Sequence, residues 1–169
     1  MSREVAIGVM IALAALVLVV ILLAWRARLR RDATLSAPLG VPEHAEVMDR
    51  RDVLYVSTTR HDEPLERLTL SPLAYRAKGE AAVTDRGLAL CLDGAPTVFI
   101  AASRLVGVDR ASVTIDKAVE PGGLVRVAWA ASDTAVVDSY LRVAGGDPKN
   151  FIAELQRLVP VADDTGAAS

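Results

Sequence analysis

The chain has 169 residues, 52% of them hydrophobic, and a formal net charge of −2. Five of its 19 basic residues but only one of its 21 acidic residues lie at or before Arg31. The rest therefore carries 14 basic and 20 acidic residues, a net charge of −6. Because the chain after Arg31 is this acidic, it is not expected to bind nucleic acid or to adhere broadly to anionic lipid. The single cysteine, Cys91, excludes an intramolecular disulfide, and its apolar neighbours predict a small core residue.

An uncharged apolar stretch covers residues 5–25. As a helix it would measure about 31 Å, close to the ~30 Å hydrocarbon core of a bilayer. A cleaved signal peptide is the main alternative, but its apolar region is shorter, follows basic residues and ends at a small-residue site. A buried core helix is a further alternative, although so uniform an apolar run is not typical of one. The sequence therefore predicts a transmembrane helix preceded by a short extracytoplasmic N-terminus, residues 1–4.

The residues that follow this stretch indicate its orientation. Arginines crowd its C-terminal end, whereas Arg3 is offset by Glu4 at the other end, so the positive-inside rule places the C-terminal side in the cytoplasm. The protein is thus expected to cross the cytoplasmic membrane once, with the lipid bilayer as a partner. Gly8 and Ala12 form a small-xxx-small pair, which could support homo-oligomerisation through this helix. Alanine is so common in this stretch that chance spacing is the preferred interpretation. The expected membrane-interface residues are Trp25, Arg26, Arg28, Arg30 and Arg31.

The remaining chain divides by pattern into a linker, a domain and a tail. Residues 26–52 are interpreted as a basic juxtamembrane segment and linker, since prolines and glycine interrupt any apolar period. Residues 53–159 contain short β-rich runs separated by turns, including runs at 54–59, 88–92, 97–101 and 112–117. The same range ends with an amphipathic helix, for which Asp147 is the expected N-cap. Residues 160–169 are predicted to be a disordered tail.

This order of elements predicts a fold. About seven antiparallel strands in two near-orthogonal sheets, capped by a C-terminal α-helix, form the pleckstrin-homology (PH)-like architecture. A small sheet leaves one end open, and a helix with one apolar face can cover that end. The expected fold class is therefore an N-terminal transmembrane α-helix followed by a mainly-β PH-like domain.

Several short segments also form a recognisable pattern: YVSTT at 55–59, DEPLERL at 62–68, Arg76, GL at 87–88, TVFIA at 97–101, LVGV at 105–108 and GGLV at 122–125. Together with the anchor they resemble a family of bacterial single-pass membrane proteins with a PH-like domain. Glu66-Arg67 stands where the family pattern has Asp-Arg. Members are often described as transporters or export proteins, and the resemblance implies a gene neighbourhood of pyrimidine biosynthesis. It implies no catalytic residue, and one span forms no pathway through a bilayer unless it oligomerises.

Ligand-type residues cluster in one place, His61-Asp62-Glu63. Adjacent residues in an extended loop point in different directions, so a solvated turn is preferred over a tetrahedral metal site. Ser57 lacks the glycine context of a nucleophile elbow. We therefore expect no catalytic, cofactor or metal site and no enzymatic activity. An enzyme that depends on His61, Ser57 or Asp62 is the third-ranked hypothesis.

Basic residues near the first two expected strands suggest an alternative site. Eukaryotic PH domains hold inositol phosphates with basic residues at comparable positions, but here acidic residues are interleaved among them. Structural pairing, such as Arg67 with a nearby carboxylate, is the preferred interpretation. The candidate anion-binding residues are Arg60, Arg67, Arg76 and Lys78.

The sequence thus predicts a membrane-tethered, non-enzymatic PH-like interaction or scaffold module on the cytoplasmic face. It requires no cofactor, binds an unknown protein partner and does not bind nucleic acid. The alternative is an accessory subunit or regulator of a transport or export system.

Overall fold

The computed structural model describes residues 3–32, 37–111 and 123–160, in two compact units, Met1–Thr34 and Leu35–Ser169. The first unit holds helix α1, Arg3–Asp32. Within it, Ile7–Ala24 carries no charged residue and none of its side chains is buried. The helix is therefore long and apolar enough to cross a membrane, and it lacks the burial of a core helix. Arg26 is exposed, and the side chains of Trp25, Arg28, Arg30 and Arg31 lie outside the described part.

The second unit is a mainly-β domain. Its strands are β1 (Val47–Arg60), β2 (Glu63–Arg67), β3 (Ala77–Thr84), β4 (Gly87–Leu92), β5 (Val98–Ala101), β6 (Leu105–Ala111), β7 (Leu124–Ser132) and β8 (Ala135–Val143). These antiparallel strands form one hydrogen-bonded sheet in the order β5-β4-β3-β1-β8-β7-β6, with β2 alongside β1. A 3-10 turn, Ala102–Arg104, joins β5 to β6, and helix α2, Lys149–Leu158, follows the last strand.

The sequence-based prediction of a mainly-β domain ending in a helix is confirmed, with differences of detail. Strand β2 is an addition, because the sequence analysis interpreted its first residue, Glu63, as part of a solvated turn. Pro64 lies in this strand, and β2 pairs with β1 as a side branch of the main sheet path. The expected strand at 112–117 and the tail beyond residue 160 lie outside the described residues.

Strand β1 organises the domain because both of its edges are paired. Its N-terminal part, from Val47 to Tyr55, pairs with β3, and its C-terminal part, from Val53 to Arg60, pairs with β8. The register shifts between Tyr55 and Ser57. This shared strand joins what the sequence suggested as two sheets into one hydrogen-bonded sheet.

Two segments assigned to the linker in the sequence analysis take part in the sheet. Strand β1 begins at Val47, ahead of the expected domain start at Val53, and its first residues are mostly exposed. That exposure explains why no apolar alternation marks them in the sequence. Further upstream, Leu39 bridges to Val98, and Pro38 O accepts a hydrogen bond from Phe99 N at 2.9 Å. This segment therefore pairs with the outer edge of β5. Without it, the backbone N–H and C=O groups of that edge strand would be left unpaired.

Helix α2 contributes its apolar face to the domain core, where Phe151, Ile152 and Leu155 are buried. The expected N-cap, Asp147, is wrong by one residue, because the helix starts at Lys149 and its N-cap is Pro148. The Asp147 carboxylate still accepts a hydrogen bond from Lys149 N at 3.1 Å. The expected core position of Cys91 is wrong. Cys91 is exposed because strand side chains alternate, and β4 turns the residues on either side of it inward.

Candidate functional site

A buried carboxylate lies at the centre of one cluster of ionisable residues. Asp138, in β8, has 1% of its surface exposed. Its Oδ1 lies 2.8 Å from His61 Nδ1, whereas its Oδ2 has no hydrogen-bond partner among the described residues and lies 3.6 Å from Arg126 Nη1. Burying a charge costs free energy unless partners compensate it, so His61 and Arg126 stabilise this position.

The strand register brings these residues together from distant parts of the chain. In β8, Asp138 stands opposite Thr59 of β1, and Tyr140, two residues further on the same face, stands opposite Arg126 of β7. The turn after β1 then folds back, and His61 N donates to Val136 O at 3.3 Å. This backbone contact holds the imidazole beside the carboxylate.

Arg126 is the cation of the cluster. Its guanidinium donates to both Asp109 oxygens, with Nε at 3.0 Å from Oδ1, and Nη1 lies 3.9 Å from Asp62 Oδ1. The hydrogen bond to Asp109 is the main reason why the pKa of Arg126 is raised above its usual value. Arg126 therefore stays charged at any physiological pH. We call this group the Asp138 centre: His61, Asp62, Asp109, Arg126 and Asp138.

Three members of the Asp138 centre could hold a metal ion. His61, Asp62 and Asp138 each offer one ligand atom, and these atoms all lie within 4.8 Å of one another. The sequence analysis grouped His61 and Asp62 with Glu63, whereas the structure supplies Asp138, which is 77 residues from His61. The signal in the sequence that could have identified Asp138 is that it is the single carboxylate of β8, a mostly apolar strand.

A chain of hydrogen-bonded polar side chains lies in the interior of the domain. Trp129 Nε1 donates to Ser139 Oγ at 2.9 Å, and Ser139 Oγ lies 2.7 Å from Thr58 Oγ1. Tyr55 Oη lies 2.8 Å from Thr58 Oγ1 and donates to Leu73 O at 2.7 Å. Because an indole can only donate and a carbonyl can only accept, each hydroxyl must donate to the next along this chain. The group is fully satisfied and stabilises the core.

The geometry and the sequence comparisons agree on the class of domain. The profile of the family described as bacterial PH domain-like matches residues 35–157. The chain belongs to the bacterial PH domain-like family. No curated protein and no solved structure gives a significant match. The matched range begins where the second compact unit begins, at Leu35, and this PH-like domain therefore includes the segment that covers β5.

PH-like domains are typically non-catalytic, and the surroundings of Ser57, the serine of the third-ranked hypothesis, are not those of a nucleophile. Ser57 is buried, and its Oγ has no hydrogen-bond partner among the described residues. A serine nucleophile needs a base within hydrogen-bond reach, and His61 instead faces Asp138.

The four candidate anion-binding residues of this PH-like domain lie in different surroundings. Arg60 Nε lies 3.3 Å from Glu66 Oε2, and Arg67 Nη2 donates to Ala74 O at 3.2 Å. Arg76 is exposed. Lys78 lines an open groove with Arg142 and three acidic residues, and the described lining includes none of the other three candidates.

Proposed function

We propose that this member of the bacterial PH domain-like family is a membrane-tethered, non-enzymatic interaction module with its domain on the cytoplasmic face. Helix α1 carries the proposal. Its apolar window, Ile7–Ala24, is entirely exposed within the structure, and exposed apolar surface of this extent needs a lipid environment. The arginines after residue 25 support the orientation.

The orientation can be tested with reporters fused after Ser169, one active only in the cytoplasm and one active only in the periplasm. The cytoplasmic reporter should be active and the periplasmic one silent. A second chain in which Arg26, Arg28, Arg30 and Arg31 become Ser should lose this bias, because the positive charges are the orientation signal. A periplasmic signal from the natural sequence would contradict the proposed orientation.

The PH-like domain also displays apolar side chains suited to protein contact. Leu65 in β2 and Tyr75 in the loop before β3 are 78% and 80% exposed. Large exposed apolar and aromatic side chains are enriched where proteins bind one another. The partner is expected to be a protein, and tethering to the membrane raises its effective concentration there.

Co-purification of the full chain in detergent tests this part of the proposal. The natural chain should retain a specific partner, and a variant with Leu65→Ser and Tyr75→Ser should lose it. A matched control, Leu39→Ser with Val41→Ser, changes apolar side chains that are also exposed elsewhere on the domain. If no partner is retained by the natural chain, or if both variants behave alike, the interaction surface is refuted.

The second candidate is an accessory subunit or regulator of a transport or export system. The observation in its favour is the open space beside Gly8 of α1. Apart from the adjacent residues and backbone of the helix itself, no described atom lies within 4 Å of an added Cβ. A small residue there lets another helix approach closely. Photo-crosslinkers placed along α1 should capture a multi-span protein under this candidate. Proteins of the implied pyrimidine-biosynthesis neighbourhood would be the first partners to compare.

A further inference from the structure

We propose that His61, Asp62 and Asp138 bind one divalent transition-metal ion, with Zn²⁺ as the representative. The ion would tie the turn between β1 and β2 to β8. This inference is independent of membrane tethering, since it concerns only the PH-like domain.

The ligand types fit such an ion. An imidazole nitrogen with carboxylate oxygens is a donor set that Zn²⁺ and its neighbours accept, whereas Mg²⁺ and Ca²⁺ prefer oxygen alone. The three ligand atoms lie within 4.8 Å of one another, and the nitrogen and oxygen of the closest pair, His61 Nδ1 and Asp138 Oδ1, are 2.8 Å apart. Ligand atoms about 2.0–2.2 Å from one ion can reach at most about 4.4 Å apart. A tetrahedral ion places such atoms about 3.3–3.6 Å apart. The pair formed by His61 and Asp138 would therefore widen by about 0.5 Å, while the widest pair would close around the ion.

The unsatisfied oxygen of Asp138 is an independent indication. Asp138 is 1% exposed, and its Oδ2 is one of two buried side-chain atoms without a hydrogen-bond partner in the described part of the chain. Arg126 Nη1, at 3.6 Å, is too distant for a hydrogen bond. A buried carboxylate oxygen left in this state is unfavourable, and a bound cation would satisfy it.

The charges of the Asp138 centre also favour a divalent cation. Asp109 binds Arg126 through both of its oxygens and thereby compensates the guanidinium. Arg126 also lies near Asp62 and Asp138, so the charge is counted over the whole centre. Three carboxylates and one guanidinium give it a net charge of −2 when the imidazole is a neutral ligand, and one divalent ion would neutralise that charge.

The site is accessible from one side and closed on the other. Side-chain exposure falls from 78% at Asp62 to 35% at His61 and 1% at Asp138. An ion could therefore enter past Asp62 and reach the buried carboxylate, with water completing its coordination, as in zinc sites that keep an open position.

Calorimetric titration of the metal-stripped full chain in detergent with ZnCl2 tests the proposal. The natural chain should bind one ion at saturation. His61→Gln and Asp62→Asn should each lower the affinity about tenfold or more, because each removes a ligand. Asp62 has a φ of 60°, which Asn tolerates as readily as Asp, and its side chain is exposed, so this variant should fold normally.

Two matched variants serve as controls. His44→Asn removes the other histidine, whose φ of 66° Asn also tolerates, and Asp133→Asn removes an exposed carboxylate in the turn before β8. Both should bind Zn²⁺ as the natural chain does. The melting temperature should rise with ZnCl2 in the natural chain and both controls but not in Asp62→Asn. The proposal is overturned by absent saturable binding, by unchanged affinity in Asp62→Asn, or by loss of binding in His44→Asn.

Discussion

Helix α1 and the PH-like domain differ in where their apolar side chains lie: those of the helix are exposed, and those of the domain are largely buried. None of the residues in Ile7–Ala24 is buried, whereas Tyr55, Trp129 and Leu141 of the domain have 0% of their surface exposed. The helix satisfies its backbone hydrogen bonds internally and leaves its apolar side chains exposed, as a helix that spans a membrane would. The domain instead builds its own apolar interior, so changes in the two units should have separate consequences.

The largest effect is expected from charges placed in the middle of α1. Leu16→Arg with Val20→Arg should shift the protein from the membrane to the soluble fraction. Each central arginine costs roughly 2.5–3.5 kcal/mol of insertion free energy, so the pair costs about 5–7 kcal/mol. The control, Leu16→Ala with Val20→Ala, should stay with the membrane. Retention of the arginine variant after carbonate extraction would contradict a spanning helix.

The next effect separates two glycines within the sheet. A Cβ at Gly79 in β3 would lie 2.1 Å from Cys91 O, whereas a Cβ at Gly107 in β6 meets nothing within 4 Å. Gly79→Ala should therefore lower the free energy of unfolding by about 3 kcal/mol through backbone displacement, while Gly107→Ala should change it by less than about 0.5 kcal/mol. Urea unfolding of both variants measures the difference. Equal stabilities would show that β3 and β4 are not packed as described.

A smaller effect separates two tyrosines. Tyr55→Phe removes the hydroxyl that bonds Leu73 O and Thr58, and should lower the free energy of unfolding by about 2 kcal/mol because buried polar groups lose their partner. Tyr75→Phe, at a side chain 80% exposed, should have no measurable effect. The same urea titration measures both. A neutral Tyr55→Phe would mean that the buried hydroxyl chain contributes no net stability.

The smallest effect is a dependence on alkaline pH. Burial raises the pKa of Tyr55 above its ordinary value of 10.0. Above pH 10 the unfolded chain loses this proton while the folded domain keeps it, so stability should fall as pH rises. Between pH 10 and 11 Tyr55 should account for about 1 kcal/mol of that fall.

Comparing Tyr55→Phe with the natural chain over this range isolates the contribution of Tyr55. The pKa of Tyr140 is also raised by burial, so the variant should keep a weaker slope and not lose it entirely. Identical slopes in the two proteins would exclude Tyr55 as a source of the pH dependence.

Local sequence patterns were enough to predict the elements whose apolar residues recur within a short stretch of chain. The uniform apolar run predicted α1, and the apolar spacing of Phe151, Ile152 and Leu155 predicted α2 with its buried face. A helix repeats within a few residues, so its period is visible locally. The succession of short β-rich runs likewise predicted the mainly-β domain.

Only the tertiary structure decided features that depend on pairing between distant residues. The exposed start of β1 and the edge strand β2 carry no apolar alternation, because their positions are stabilised by hydrogen bonds to neighbouring strands. Cys91 was assigned to the wrong face because an apolar run does not reveal which residues of a strand point inward. Asp138 lies beside His61 because of the register in which β8 pairs with β1. That register is set by the whole sheet and not by any local run of residues.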